Sequence, residues 1–193
     1  MQRNEIEQIA NNVLKKYNIE NAPFSHIKEV CEQEHIKLKK TKFSSEMDGA
    51  FSIVQNEKYI FYNPQMIEGR QNFTKAHELG HYFLNHQLEV GNMIYCYNQH
   101  VSEGNQQALP RIETEANYFA TYFLMPEQMI LKEYQIIARV LGVDTSRRLY
   151  VDKQNCNSKL WTFVSRHFVL RFGVSKEALG YRLDSLGLID YNK

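Results

Sequence analysis

Apolar residues recur at helical spacing near the start of the chain. Ile6, Ile9, Val13, Leu14 and Tyr17 predict an amphipathic helix over residues 4–17. Asn18 to Pro23 reads as a turn. A second helix follows, with Ser25 as its cap and Ile27, Val30, Cys31 and His35 inward or half-inward. His26 and His35 read as surface or boundary histidines. The period then drops to two: Ile36-Lys-Leu-Lys alternates and predicts a strand. Lys39 to Met47 is polar and reads as a loop. After Asp48-Gly49, the runs Ala50-Phe-Ser-Ile-Val54 and Lys58-Tyr-Ile-Phe-Tyr62 flank a turn at Gln55 to Glu57 and predict a β-hairpin. Asn63-Pro64 ends it.

Helical spacing returns over Phe73 to Asn85. At about 100° per residue, Thr74, His77, Glu78, His81 and Asn85 share one arc, while Ala76, Leu79 and Phe83 fall opposite. Residues 87–110 carry no clean period and include Gly91, Gly104 and many Asn and Gln. They are long for a loop and read as a lid, a specificity loop or an insertion. Residues 111–124 form the next strong helix. Met125-Pro126 breaks it, and Pro126 can open a further helix to about Leu141. Residues 142–158 are polar and read as a linker. Residues 159–171 predict a helix bearing Trp161, and Ser175 caps a last one over 176–186. The expected class is α+β: mostly helical, with a short sheet before the helix of residue 77 and a helical C-terminal segment. The expected units are 1–141, a linker 142–158, and 159–193.

Chemistry concentrates in His77-Glu-Leu-Gly-His81, an H-E-x-x-H pattern. Histidines four apart on a helix can both reach one ion, and neutral imidazole suits Zn²⁺. Glu78 lies about 100° round from His77, beside such an ion and off it. There it can act as general base toward a water. Gly80 weakens the helix by about 1 kcal/mol relative to Ala, so a close neighbour is expected at that point.

A catalytic zinc keeps three protein ligands. Leu84 and Gln87 exclude the extended motif that would place Gly and His there. His86 is close by, but on the helix it points about 140° away from His81 and reads as outside the metal site. The third ligand is then Glu113 or Glu115, which lie about 200° apart on their helix, so only one can face the ion. Glu113 shares its face with Ala116, Asn117, Ala120 and Leu124, small enough at two positions for close helix approach. This favours Glu113, with Asn117 bonded to the far nitrogen of a ligating histidine. Glu115 then reads as a salt-bridge or surface acid. Tyr82, Tyr95, His100 and Tyr118 are the candidates for stabilising an oxyanion.

Composition narrows the picture further. The net charge is +1, which gives no basic field for nucleic acid. Cys31, Cys96 and Cys156 are widely spaced and odd in number, so reduced thiols in a cytoplasmic protein are expected. The charged N-terminal residues carry no signal-peptide core, and no apolar run reaches the ~18 residues of a membrane span.

The chain resembles the ImmA/IrrE family of metallo-endopeptidases. The likeness rests on Arg70-Gln-Asn-Phe-Thr-Lys-Ala-His-Glu-Leu-Gly-His81, Ile112-Glu-Thr-Glu-Ala-Asn-Tyr-Phe-Ala120 and Phe123-Leu-Met-Pro126. Phe172-Gly-Val-Ser-Lys-Glu-Ala-Leu-Gly-Tyr-Arg-Leu-Asp-Ser-Leu-Gly-Leu-Ile189 resembles the family's closing segment. The resemblance implies a zincin-like, gluzincin-type fold and a zinc ion held by His77, His81 and Glu113, with Glu78 as base. It also implies cytoplasmic regulated proteolysis, with a helix-turn-helix repressor as protein substrate. Residues 87–110 and 142–158 look less typical of the family.

Two other readings compete. A zinc-binding module could sequester a repressor without cutting it, but binding alone needs no general base at Glu78. A DNA-binding regulator could use the C-terminal helices, which have a helix-turn-helix outline. The last helix offers Glu177 and Asp184 among its polar residues, and these would repel phosphates. The expectation is that this segment packs on the peptidase core or meets the protein substrate, with no nucleic acid and no membrane as partner.

Overall fold

The computed structural model describes residues 1–43, 47–86, 111–142 and 148–190, and the backbone alone of 93–97 and 191. The chain opens with helix α1 (Arg3–Lys16), which buries Ile6, Ala10, Val13 and Leu14. A 3₁₀ turn (Pro23–His26) then leads into α2 (Ile27–Gln33). Ser25 does not cap α2: it sits inside the 3₁₀ turn and its hydroxyl donates to the Ala22 carbonyl, 2.8 Å. Ile27, Val30 and Cys31 are buried as expected, whereas His35 is exposed in a left-handed conformation, φ 56°.

The sheet contains β1 (Ile36–Lys40), β2 (Met47–Val54), β3 (Glu57–Tyr62) and β4 (Met93–Tyr97), in the order β1-β3-β2-β4. β2 and β3 form the expected antiparallel hairpin, with Phe51 opposite Ile60. Gln55 and Asn56 both take positive φ in its turn, the backbone that a two-residue hairpin loop requires. β1 joins β3 in parallel. β4 was not expected. It pairs antiparallel with β2 inside the stretch read as a loop, and the register shifts between Met47 and Gly49.

Helix α3 (Glu68–Phe83) crosses beneath this sheet, and α4 (Arg111–Leu124) packs against α3. The Asp48–Arg70 ion pair, at 2.6 and 2.8 Å, ties β2 to the first turn of α3. Phe51, Ile60, Ala76, Leu79, Phe119 and Phe123 belong to the core between these layers. A Cβ on Gly80 would stand 3.2 Å from Ala116 Cα, so the small residues on both helices set their spacing.

After Pro126, helix α5 (Glu127–Leu141) ends at Gly142, φ 64°. The stretch read as a linker holds β5 (Leu149–Val151) and the first turn of α6 (Asn155–Phe172). Gly173 closes α6 with φ 61°, and α7 (Lys176–Ser185) begins with Ser175 accepting from the Ala178 amide, 3.1 Å. β6 (Ile189–Tyr191) returns to pair in parallel with β5.

The C-terminal helices pack on the elements before them. Asn72 Nδ2 donates to the Gly173 carbonyl at 3.0 Å, and a Cβ on Gly173 would strike the Phe24 ring at 2.4 Å. Arg182 of α7 is buried: it donates to the Met125 carbonyl and pairs with Glu7. The helix that would have to read DNA therefore commits its arginine to the interior. No helix among the described residues is long and apolar enough to cross a membrane.

Candidate metal centre

The polar stripe of α3 faces inward. Thr74, His77, Glu78 and His81 are all buried, covered by α4 on one side and β2 on another. Only Asn85, past the end of the helix, stays exposed.

His77, His81 and Glu113 come together. One ligand atom from each lies within 4.8 Å of the others. His77 Nε2 stands 3.2 Å from Glu113 Oε2, His81 Nε2 stands 3.4 Å from Glu113 Oε1, and the two Nε2 atoms are 3.0 Å apart. The far side of His77 is occupied: its Nδ1 is 2.9 Å from Asn117 Oδ1. An amide oxygen only accepts, so Nδ1 carries the proton and Nε2 presents a lone pair. The His77 lone pair therefore faces the Glu113 carboxylate oxygen at 3.2 Å, acceptor against acceptor. A cation resolves that conflict. Tetrahedral zinc with bonds of about 2.0–2.1 Å spaces its ligand atoms by about 3.3 Å, close to the separations found here. The donor set, two imidazoles and one carboxylate, fits zinc in kind as well as spacing.

Burial, followed by His77 and His86 nearby, pushes the His81 imidazolium down to about 2. That imidazole is neutral at physiological pH, as a metal ligand must be.

Glu78 is fully buried, and neither carboxylate oxygen has a hydrogen-bond partner among the described residues. Burial, and then the charge of Glu113, raises its carboxyl well above the usual range. The Phe51 backbone nearby favours the charged form, without closing a hydrogen bond. Gly49 of β2 makes room for this group. A Cβ there would stand 2.4 Å from Thr74 Cγ2 and 3.0 Å from Glu78 Oε1.

His86 departs from the sequence reading in an informative way. It lies outside the His77–His81–Glu113 group, but it does not point away on a continued helix. α3 stops at Phe83, and Asn85 turns the chain with φ 53°. This brings His86 Nδ1 to 3.0 Å from His81 Nδ1. Glu115 is buried rather than a surface acid, and it is an ion-pair acid as expected. It meets His86 Nε2 at 3.2 Å, Arg111 Nε at 2.7 Å and the Met1 amine. Burial alone would raise its carboxyl. The hydrogen bonds from Met1, Arg111 and His86 outweigh that and hold it at about 2.

Among the candidates for an oxyanion donor, the Tyr82 hydroxyl is engaged elsewhere. It donates to Glu34 at 2.7 Å and accepts from Lys58 at 3.1 Å. The Tyr118 ring stacks on Tyr122 and carries the Arg3 guanidinium 4.5 Å from its centre. His100 and the side chain of Tyr95 lie outside the described residues.

A small sheet laid over an H-E-x-x-H helix, with a glutamate brought in by α4, makes a buried group that could hold a metal ion. The comparison of family models narrows this. The chain belongs to the M78 peptidase family: the model described as the IrrE N-terminal-like domain, of the ImmA/IrrE group, matches residues 31–184. That span begins in α2 and ends in α7, and it includes the stretch read as a linker. No match was found among curated proteins.

Proposed function

We propose that the protein is a zinc-dependent endopeptidase of cytoplasmic regulated proteolysis, and that its substrate is a helix-turn-helix repressor whose cleavage releases gene expression. The observation that carries the catalytic part is Glu78: a buried carboxyl without a partner among the described residues, beside the grouped His77, His81 and Glu113. A purely structural acid in that position would be costly. A general base needs it free.

His77, His81 and Glu113 would hold the zinc. When bound, zinc supplies Lewis acidity toward the scissile carbonyl and toward a water. Asn117 fixes the proton of His77 on Nδ1, so that Nε2 keeps its lone pair for the ion. Glu78 takes the proton from the attacking water and returns it to the leaving nitrogen. Both of its oxygens are without a hydrogen-bond partner among the described residues, which leaves them open to that exchange. β4 is an edge of the sheet among the described residues and neighbours β2, which covers Glu78 at Gly49. An extended segment of substrate adds to that edge by backbone hydrogen bonds.

The test is incubation of the purified protein with candidate repressors encoded beside its gene, with and without a chelator. Zinc-dependent, single-site cleavage is expected. Tight binding of the repressor without cleavage, in zinc-loaded protein, would favour sequestration instead.

A further inference from the structure

His81 is backed by a second imidazole. Its Nδ1 lies 3.0 Å from His86 Nδ1, and His86 Nε2 lies 3.2 Å from Glu115 Oε2. The chain is shielded from water: the side chains of His81, His86 and Glu115 are 0%, 5% and 10% exposed. The other Glu115 oxygen accepts from Arg111 Nε and the Met1 amine, so both oxygens are placed as acceptors.

The proton assignment follows from the contacts. An imidazole offering Nε2 to a cation carries its proton on Nδ1. The His81 proton therefore points at His86 Nδ1, which accepts it only when unprotonated. A neutral His86 then carries its own proton on Nε2, where the Glu115 carboxylate accepts it. Each contact has one donor and one acceptor. The opposite tautomer of His86 would set two acceptors against each other at Glu115.

The two histidines of the metal group are thus supported differently. His77 meets a neutral amide at Asn117, whereas His81 meets a carboxylate through an intervening ring. Hydrogen bonds of this kind orient a ligating imidazole and raise its basicity.

We propose that His86 is a positioning residue: it fixes the ring and tautomer of His81 and relays the charge of Glu115 to it. This rests on the reading of His77, His81 and Glu113 as metal ligands. Zinc affinity is to be measured by chelator competition on the full chain, and histidine tautomers by ¹⁵N NMR of the zinc-loaded wild type. His86→Phe should weaken zinc binding about 10–100-fold, and His86→Gln, which restores an acceptor, should recover part of the loss. The wild-type spectrum should show His86 neutral with its proton on Nε2. In Glu115→Gln that resonance should shift, because the charged acceptor is gone. A proton on His86 Nδ1 in the wild type, or wild-type zinc affinity in His86→Phe, would overturn the relay. His77→Ala and Glu113→Ala separate the two levels. If both lose zinc while His86→Phe keeps it, only the relay fails. If both keep zinc, the ligand reading fails and the relay with it.

Discussion

Two buried glutamates flank the same pair of helices and could hardly be treated more differently. Glu115, at the outer end of α4, receives Met1, Arg111 and His86, and its carboxyl is held at about 2. Glu78, in the middle of α3, receives nothing on either oxygen among the described residues, and its carboxyl is raised well above the usual range. The fold had donors available for buried acids and spent them on Glu115. A buried charge left unpaired is destabilising unless something outside the chain completes it. The contrast sets Glu115, held by the chain's own donors, against Glu78, which the proposed mechanism uses as its base.

Breaking the free acid should have the largest catalytic effect. Glu78→Gln should lower peptide cleavage by about 10²–10⁴-fold while zinc content stays at the wild-type level. Cleavage assays and metal analysis on one preparation check both halves. A wild-type rate would remove Glu78 from the mechanism.

The metal separates the two acids of α4. Glu113→Ala should lose most of its zinc, and Glu115→Ala much less, as measured in purified, dialysed protein. The reverse order would mean that Glu113 only buttresses the site. Glu115→Gln should instead lower unfolding stability by about 1–3 kcal/mol in a denaturant titration, because it strips a hydrogen-bonded charge from its partners.

Gly49 sharpens the comparison from the strand side. Gly49→Ala sets a methyl against Thr74, the Phe61 carbonyl and Glu78. It should cost about 1–3 kcal/mol through overpacking, seen in thermal melts. It should also lower cleavage, because the methyl intrudes on the carboxylate.

The smallest effect is in the pH dependence of the metal-free protein, where the two acids have opposite signs. Glu115 has a folded value of about 2 against 4.5 for the free group, so its stabilisation is present above 4.5 and fades as pH falls toward 2. Glu78 is raised above 4.5, so its stabilisation is full below 4.5 and is lost as pH rises through its folded value. Urea titrations from neutral pH down through 4.5 read this difference. Wild type should gain less on acidification than Glu115→Gln and more than Glu78→Gln.

Much of the metal group was legible in the sequence because it sits on long, strongly periodic helices. The i, i+4 spacing put His77 and His81 on one face, and Ala116 with Ala120 pointed to the side of α4 that approaches α3. Gly80 announced the close contact it makes. The hairpin of β2 and β3 was equally plain from its two alternating runs.

What escaped depends on distant parts of the chain. β4, Met93-Ile-Tyr-Cys-Tyr97, has no polar alternation, and its strand character comes from pairing with β2. β5 and β6 are three residues each and exist by pairing across the whole of α6 and α7. His86 was misplaced because helical phase was carried past Phe83. The signal was Asn85, a residue that tolerates the left-handed turn it adopts. Glu115, expected as a salt-bridge or surface acid, has a local partner in Arg111, one turn away. Its other donors arrive from 29 and 114 residues away.

The central claim is that His77, His81 and Glu113 hold a zinc ion with Glu78 beside it. Anomalous diffraction from crystals of the zinc-loaded protein, collected on both sides of the zinc edge, tests it most directly. One anomalous peak per chain is expected, bonded to His77 Nε2, His81 Nε2 and a Glu113 oxygen, with Glu78 unbonded to it. A peak ligated by His86 or Glu115, or none at this group in protein that carries zinc, would contradict it.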